Sequence, residues 1–557
     1  MLLSIELENF KAFGRRVRIP FAPITLIFGE NSSGKSSILQ ALSLLKQILE
    51  TKRFVLPRSE ETGLDLGSFK EMLFDHDLKR EMRLLVAASG GITEEGERIE
   101  PGAIEWVFNQ TSPKSNAGLQ AIELGLGASN SSVARFVPCA TPKLSGGMVS
   151  NTLYDPYCVP SAEQQWDGDP ERDLSTLTWI RCTQASISQE QLSSIFAQVI
   201  EAQHLLAKIL AREKQLRTAT EITSIHNSIP PMNQLEDAIS FYSSEFDLQD
   251  FTRRINRCQR KAVVGLEGMV PRCCASGHDY LDQAVGQVVG RKIMEIGLPG
   301  PSLKDTLPEG ALGLASGAIG GEIGLSAILI RAARAAEEAL NSLYPLGPLR
   351  QPPRRWYPDT GTSPSDVGNR GDLMPDLLLR STDLVRLVNT WLEKLDIGYE
   401  LCLRPIRTRY AELFEVRLRD MRRASRVEVG LPDVGYGISK ILPFIVQSLI
   451  SSEKIISIEQ PEVHIHPRLQ ADLGDLLAAA IKRKKANQFL IETHSEHLIL
   501  RLQRLIRERK LKPDAVSVIF VSRGKEGAKV QRLRLDDEGD FMDNWPGGFF
   551  PERLREL

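Results

Sequence analysis

Gly29-Glu30-Asn31-Ser32-Ser33-Gly34-Lys35-Ser36 decides the fold of this chain. It follows the pattern glycine, four residues, glycine-lysine-serine. It comes straight after the apolar run Ile24-Thr25-Leu26-Ile27-Phe28 and just before a helical stripe of Ile38, Leu39, Leu42, Leu45 and Leu49. A buried strand, a glycine-rich loop and a helix in that order form a phosphate cradle. The glycines let successive backbone N–H groups face an anion, and the helix adds its positive end. Lys35 is placed to pair with phosphate oxygens and Ser36 to hold Mg²⁺. Gly29, Asn31, Ser32, Gly34, Lys35, Ser36 and Ser37 are the candidate nucleotide contacts on this side.

Upstream, Leu3, Ile5 and Leu7 alternate, as do Val17 and Ile19, which predicts two antiparallel strands leading into the buried one. Further strands are expected around Met82 to Ala87 and Ala103 to Phe108. Residues 110–180, rich in Ser, Pro, Asn and Gly, read as loops. A capping-box pattern at Ser188 and Gln191 opens an apolar stripe that predicts a helix over 189–222. At 1.5 Å per residue it would be about 50 Å long. Its heptads stop there, so a long two-way coiled-coil arm is excluded. Residues 343–372 are dense in Pro and Gly and read as a structured return to the sheet. Strand alternation resumes at Tyr399 to Ile406 and Leu413 to Leu418. From Leu431 the order is helix, strand, helix, strand, helix, strand, the pattern of a parallel α/β sheet. Val516 to Val521 and Lys529 to Leu535 read as closing strands.

The bulk numbers narrow the function classes. A chain of 557 residues exceeds one compact core. Its 69 Lys+Arg nearly cancel 71 Asp+Glu, so no global nucleic-acid footprint exists, although a local basic face remains open. The 7 cysteines form no CxxC pair, which argues against a disulfide framework or a cysteine-zinc site and points to a reducing cytoplasm. The N-terminus has no basic run ahead of an apolar one, so no signal peptide is expected. Ala311 to Ile330 has the length of a membrane span, but Glu322 in its middle would cost on the order of 3 kcal/mol. A glycine-rich turn followed by a helix is the better reading.

The second half of the site lies far along the chain. Ile455-Ile-Ser-Ile458-Glu459 is a buried strand ending in a carboxylate, where the Mg²⁺-organising acid belongs. Phe489-Leu-Ile491 ends at Glu492-Thr493-His494-Ser495, a second strand delivering polar groups to its C-terminal edge, the edge at which open α/β sheets bind ligands.

Taken with Asp433-Val-Gly435-Tyr-Gly437-Ile-Ser439-Lys440, IEQPEVHIHP (458–467) and ETHSE (492–496), the P-loop stands in the order of an ABC ATPase. The chain resembles the branch holding the OLD-type nucleases, the RecF repair ATPase and the chromosome-maintenance proteins. Within it, GPLRQPPRRWY, VGNRGD and DNWPGGFFPE resemble bacterial stand-alone ATPases that lack the OLD nuclease domain. The resemblance covers roughly residues 1–90 and 343–557. It implies an α/β fold, an ABC-type P-loop head of mixed and parallel sheet with flanking helices, carrying a large, mainly helical insertion. The expected divisions are 1–108, an inserted 109–342, a return segment 343–430 and a C-terminal lobe 431–557.

The resemblance also implies roles. ATP and Mg²⁺ are the cofactors, with Ser36 and Glu459 at the metal. Gly435, Gly437 and Ser439 correspond to the signature that reaches the γ-phosphate of a second copy, and His494 to the switch histidine. The implied partners are a homodimer or higher oligomer and a separate effector, a nuclease or toxin, in defence against phage or plasmids. The alternative is a DNA-binding repair ATPase. One departure stands out: Gln460 occupies the usual catalytic glutamate position. Glutamine can orient water but cannot take its proton. Glu462, two residues on, is the substitute, or hydrolysis is slow. The histidine pair in HIHP reads as a structural turn ahead of a zinc site. The arginine-rich stretch Arg404 to Arg426 reads as a solvated face paired with acids ahead of a DNA groove.

Overall fold

The structure is a computed structural model. It describes residues 1–51, 66–92, 98–99, 101–110 and 335–550 apart from 349, 408–411 and 484, together with the strands Gly118–Leu126, Ser132–Cys139, Leu144–Ser145, Met148–Val149, Val159–Pro160, Trp179–Ala185, Val263–Glu267 and Val270–Cys274. The chain forms two compact units. One comprises Met1–Gln47, Pro57–Leu84 and Ala339–Leu557; the other comprises Ile48–Leu56 and Leu85–Glu338.

The first unit contains β1 (Leu2–Glu8) and β2 (Val17–Pro20), antiparallel with Leu7 opposite Val17, followed by β3 (Ile24–Gly29) and α1 (Lys35–Thr51) as far as Gln47. Its later part supplies β4 (Leu343–Leu346), β5 (Tyr357–Pro358), α2 (Met374–Arg380), α3 (Thr382–Lys394), β6 (Tyr399–Arg407), β7 (Glu412–Asp420) and β8 (Glu428–Gly430). The chain then alternates through α4 (Tyr436–Ile450), β9 (Ile455–Glu459), α5 (Pro467–Ala480), β10 (Gln488–Glu492), α6 (Glu496–Arg507), β11 (Val516–Ser522) and β12 (Lys529–Leu533).

The central sheet runs β4-β9-β10-β3-β11-β12, parallel throughout except for the last pair. Strands from both ends of the sequence thus lie side by side, with β3 between β10 and β11. Unbroken apolar runs such as Ile24–Phe28 and Phe489–Ile491 are what a sheet covered on both faces requires. Ile24, Leu26 and Phe28 join a core with Phe444, Leu473, Leu476, Leu498 and Leu502 from the helices. α4 is apolar nearly all round and sits in the middle of that core, with Phe444 edge-on to Phe489 at 6.1 Å. A second sheet has β7 at its centre, flanked by β6 along one edge and by β5 and β8 along the other.

The C-terminal segment closes the aromatic end of β3. Trp545 packs edge-on against Phe28 at 5.3 Å and against Phe520 at 5.6 Å, and Phe549 and Phe550 join them. Trp545, Phe549 and Phe550 therefore form a hydrophobic cap on the strand that leads to the P-loop.

In the second unit the strands Gly102–Asn109, Gly118–Leu126, Ser132–Cys139, Trp179–Ala185 and Val159–Pro160 pair antiparallel in that order. This corrects the loop reading of 110–180: interspersed glycines and serines mask strands that pair with one another. The helix expected over 189–222 and the apolar stretch 311–330 lie outside the described residues. Among the described residues no helix is long and apolar enough to cross a membrane.

One buried amide ties the N-terminus to the central sheet. Gln488, 1% exposed, accepts from Leu2 N–H at 2.8 Å and donates to the carbonyls of Leu2 (2.8 Å) and Ala22 (3.1 Å). Replacing it with leucine strands the Leu2 N–H and carbonyl, while the Ala22 carbonyl keeps the Thr25 hydroxyl. Gln488→Leu is expected to cost about 2–4 kcal/mol, read as a lower urea midpoint with unchanged slope.

Candidate functional site

Three strand ends converge at one edge of the central sheet. Glu459 is paired in register with Glu492, Glu492 with Ile27, and Gly29 with Val521. The P-loop, the β9 carboxylate and the β10 carboxylate therefore arrive together because the strands are parallel and end at the same level.

The P-loop is built by backbone constraint. Gly29 has φ 145° and Gly34 φ 107°, and a side chain on Gly29 would meet the Val521 carbonyl at 2.0 Å. Asn31 and Ser32 form the exposed tip, with Ser32 at φ 58°, and Arg523 braces it by donating to the Asn31 carbonyl at 2.6 Å. Lys35 is 4% exposed and folds back on its own loop, donating to the carbonyls of Gly29 (3.0 Å) and Glu30 (2.7 Å). Burial lowers its pKa, against the pull of Glu492 and Glu462. Ser37 is buried on α1, and the Ser36 side chain favours the charged form of the Glu492 carboxylate against its burial.

Glu459 is largely desolvated. Burial first, then repulsion from Glu492, raises its pKa to about 7, while Arg350 and Lys11 pull it down. Burial likewise raises Glu462 and Glu492. Glu462 Oε1 accepts the His494 backbone N–H at 2.7 Å. The backbone of Gln460 turns through φ 46° and donates its N–H to the Glu492 carbonyl at 2.8 Å. Desolvation, then the Lys35 ammonium, lowers the pKa of His494 and favours its neutral form. Ser495 caps α6, accepting from Leu498 N–H at 3.2 Å and donating to Gln470 at 2.7 Å.

The signature stretch opens α4. Gly435 is its N-cap, with open space where a side chain would stand, and Tyr436 is half exposed. Gly437 lies against the HIHP turn, where a β-carbon would fall 2.2 Å from the His464 carbonyl. Ser439 is buried, its hydroxyl donating to the Tyr436 carbonyl at 2.9 Å, so the exposed groups at this helix start are Gly435 and Tyr436. His464 turns through φ 66° and packs edge-on to Tyr436 at 5.5 Å. His466 is the N-cap of α5, its Nδ1 accepting from Arg468 N–H at 3.3 Å. Both histidines of HIHP are accounted for by turn and cap.

Glu492, which the sequence places at a strand end without assigning it a role, stands between Glu459 and the P-loop strand. Another participant takes shape only in the fold. Arg350, from the proline-rich return segment, is 4% exposed and donates to the carbonyls of Lys440 (3.0 Å) and Glu459 (3.2 Å). Lys440 in turn donates to the Arg350 carbonyl. Burial lowers the Arg350 pKa to about 10, countered by Glu462 and Glu459. It bolts the signature helix to the end of β9. No sequence pattern announces it, because its partners lie 90 and 109 residues away.

The arginine-rich strands are paired internally. Glu428 takes Arg404 and Arg419, which together hold its carboxyl down to about 2, and Arg419 also bridges Glu400 at 2.7 Å. Arg417 bridges Glu415 at 3.0 Å, and Asp420 takes Arg422 and Arg423.

The arrangement suits a nucleotide with Mg²⁺. Ser33 Oγ, Glu462 Oε2 and Glu492 Oε2 are buried oxygens with no hydrogen-bond partner, and all three belong to the loop and strand ends of the site. Buried polar atoms are left unpaired at a cost, and a bound group at this edge would pair with these three.

Comparison with known proteins agrees. The family model described as AAA ATPase domain matches residues 1–84 and 391–499, the segments that carry the P-loop, the signature, Glu459 and Glu492. No curated protein matches. Among solved structures, the chain aligns with the Smc head domain bound to the C-terminal domain of ScpA from Pyrococcus furiosus at 12% identity, TM-score 0.36, covering 96% of each chain. It also aligns with the SMC head domain from Thermotoga maritima at 9% identity, TM-score 0.33, over 96% of this chain and 99% of that one. A third, the Smc head domain with a coiled coil and joint from Pyrococcus yayanosii, gives 13% identity, TM-score 0.35, over 97% and 98%. Scores this low transfer no property to this chain. The family match and the sheet order define the class: an α/β P-loop ATPase head, split in sequence by a large insertion.

The desolvated carboxylates give a pH signature. Glu459 titrates at about 7 in the fold against an ordinary 4.5, so between these values the folded chain holds a proton that the unfolded chain releases. In chelator, stability should fall as pH rises through that window, by on the order of 1–3 kcal/mol. Glu459→Gln should flatten the fall, checked by urea midpoints across the window; an undiminished slope would contradict the assignment.

Proposed function

We propose that the chain binds ATP with Mg²⁺ at this edge, and that the α4 N-terminus of a second copy completes the site, so that nucleotide controls whether two copies hold together. The observation that carries the reading is the convergence of the P-loop, Glu459 and Glu492-Thr493-His494 at one sheet edge, with three buried oxygens unpaired there.

The P-loop amides and Lys35 hold the phosphates, Lys35 exchanging its two carbonyl bonds for phosphate oxygens. Ser36 and Glu459 would hold Mg²⁺, which when bound would neutralise phosphate charge. His494, neutral, would be the donor to the γ-phosphate. Gln460 cannot accept a proton. Glu462 takes that part: one of its oxygens is fixed by the His494 N–H and the other is free to accept from water. The Glu462 carboxyl must reach water past a desolvated environment, which fits a slow, switch-like turnover. Gly435 and Tyr436 are the groups that α4 offers outward to the second copy.

By the resemblance of its motifs, the switch serves a separate effector protein in defence against phage or plasmids. The DNA-clamp alternative finds less support, since Arg404, Arg417 and Arg419 are committed to Glu428, Glu415 and Glu400.

Light-scattering mass with and without ATP and Mg²⁺ tests the reading. Wild type should double in mass with ATP, and Lys35→Ala should not. Gly435→Arg has room for its side chain and should bind nucleotide yet stay single. Glu462→Gln should associate normally and hydrolyse about 100-fold more slowly. A mass that ignores ATP in the wild type would contradict nucleotide-controlled association.

A further inference from the structure

Glu459 and Glu492 end neighbouring parallel strands at the same register. In-register residues on parallel strands share a face, about 4.8 Å apart. Two carboxylates so placed repel unless something positive lies between them. Lys35 pulls on Glu492, and Arg350 and Lys11 on Glu459, through charge, yet the hydrogen bonds of Lys35 and Arg350 go elsewhere. Lys35 gives its hydrogen bonds to the Gly29 and Glu30 carbonyls, and Arg350 donates to the backbone carbonyls of Glu459 and Lys440. Glu492 is 4% exposed, and its Oε2 has no hydrogen-bond partner. The Ser36 hydroxyl, the side chain that P-loop proteins offer to Mg²⁺, stands close enough to this same carboxylate to favour its charged form.

We infer that Glu492 is a metal ligand, and that Glu459, Glu492 and Ser36 form a two-carboxylate site that binds a divalent cation before nucleotide arrives. A Walker-type site with one acid relies on phosphate oxygens to complete a hard cation's shell. Two carboxylates, Glu492 buried and Glu459 partly so, and a hydroxyl would supply oxygen ligands from the protein itself, with water filling the rest. The cation would then stand ready beside the P-loop. Nucleotide would enter by displacing water from the metal, with Lys35 turning from its carbonyls to the phosphates. The inference rests on the nucleotide-site reading above and adds an order of binding to it.

The test uses full-length protein stripped of nucleotide, with Mn²⁺ alone as the probe, followed by the electron paramagnetic resonance of free Mn²⁺. A fluorescent ATP analogue in chelator is titrated in parallel. Wild type should bind Mn²⁺ without nucleotide, and Glu492→Gln and Glu459→Gln should each weaken it by about tenfold or more. Glu492→Asp should retain part of the affinity. Should Glu492→Gln fold poorly, the wild type alone decides: Mn²⁺ without nucleotide should raise its melting temperature. Nucleotide binding with no Mn²⁺ binding in its absence would overturn the inference and leave the nucleotide reading intact. Mn²⁺ binding that is unchanged in Glu492→Gln would overturn the role of Glu492. Failure to bind the analogue, with or without metal, would instead overturn the reading on which the inference stands.

Discussion

Parallel pairing in register, with Glu459 beside Glu492 and Glu492 beside Ile27, fixes where every polar group of the site stands. A strand from the first 30 residues and two from the last 110 end at one level only because they run the same way. Reverse any of them, or slip it by one position, and its carboxylate would leave the edge or change faces. The sheet thereby joins halves of a site that the sequence keeps far apart, and the core beneath it holds the register. Phe444 on Phe489 and Trp545 on Phe28 belong as much to the chemistry as the acids do, because they keep the strand ends level.

The site is also braced across elements. Arg350 ties the first turns of α4 to the end of β9. Gly437 permits α4 to lie against the His464 carbonyl, and the imidazole of that histidine packs on Tyr436. Glu462 ties the β9 loop to the backbone of His494. Movement of the helix start, the Glu459 strand or the switch loop must therefore pull on the others. In the proposed switch, a γ-phosphate reaching His494 would be linked, through Glu462, β9 and Arg350, to the outward-facing Gly435 and Tyr436.

Local signals in the chain were reliable where one element carried them. The P-loop, the buried strands ending at Glu459 and Glu492, the helix–strand alternation after Leu431 and the closing strands all show in periodicity and punctuation, because backbone geometry and burial act over a few residues. What stayed hidden depends on distant partners. Arg350 reads as one of several arginines in a proline-rich loop until its acceptors are in place. Ser439 has the residue type for a phosphate contact, but the winding of α4 turns it inward onto Tyr436. The arginines of β6 and β7 look like a basic face until Glu400, Glu415 and Glu428 are seen opposite them. Strands between Gly118 and Ala185 were obscured by composition, since their pairing rests on neighbours and not on an apolar alternation of their own.

The central claim is that segments hundreds of residues apart surround one nucleotide-bound metal. Replacing Mg²⁺ by Fe²⁺ in the ATP complex and starting hydroxyl-radical cleavage with ascorbate and peroxide tests it most directly, because the backbone is cut only within a few ångströms of the metal. The account predicts cuts in one molecule near Ser36, near Glu459 and near Glu492, all lost when ATP is withheld and excess chelator is added. Cutting at the P-loop alone, with the β9 and β10 ends untouched, would contradict it.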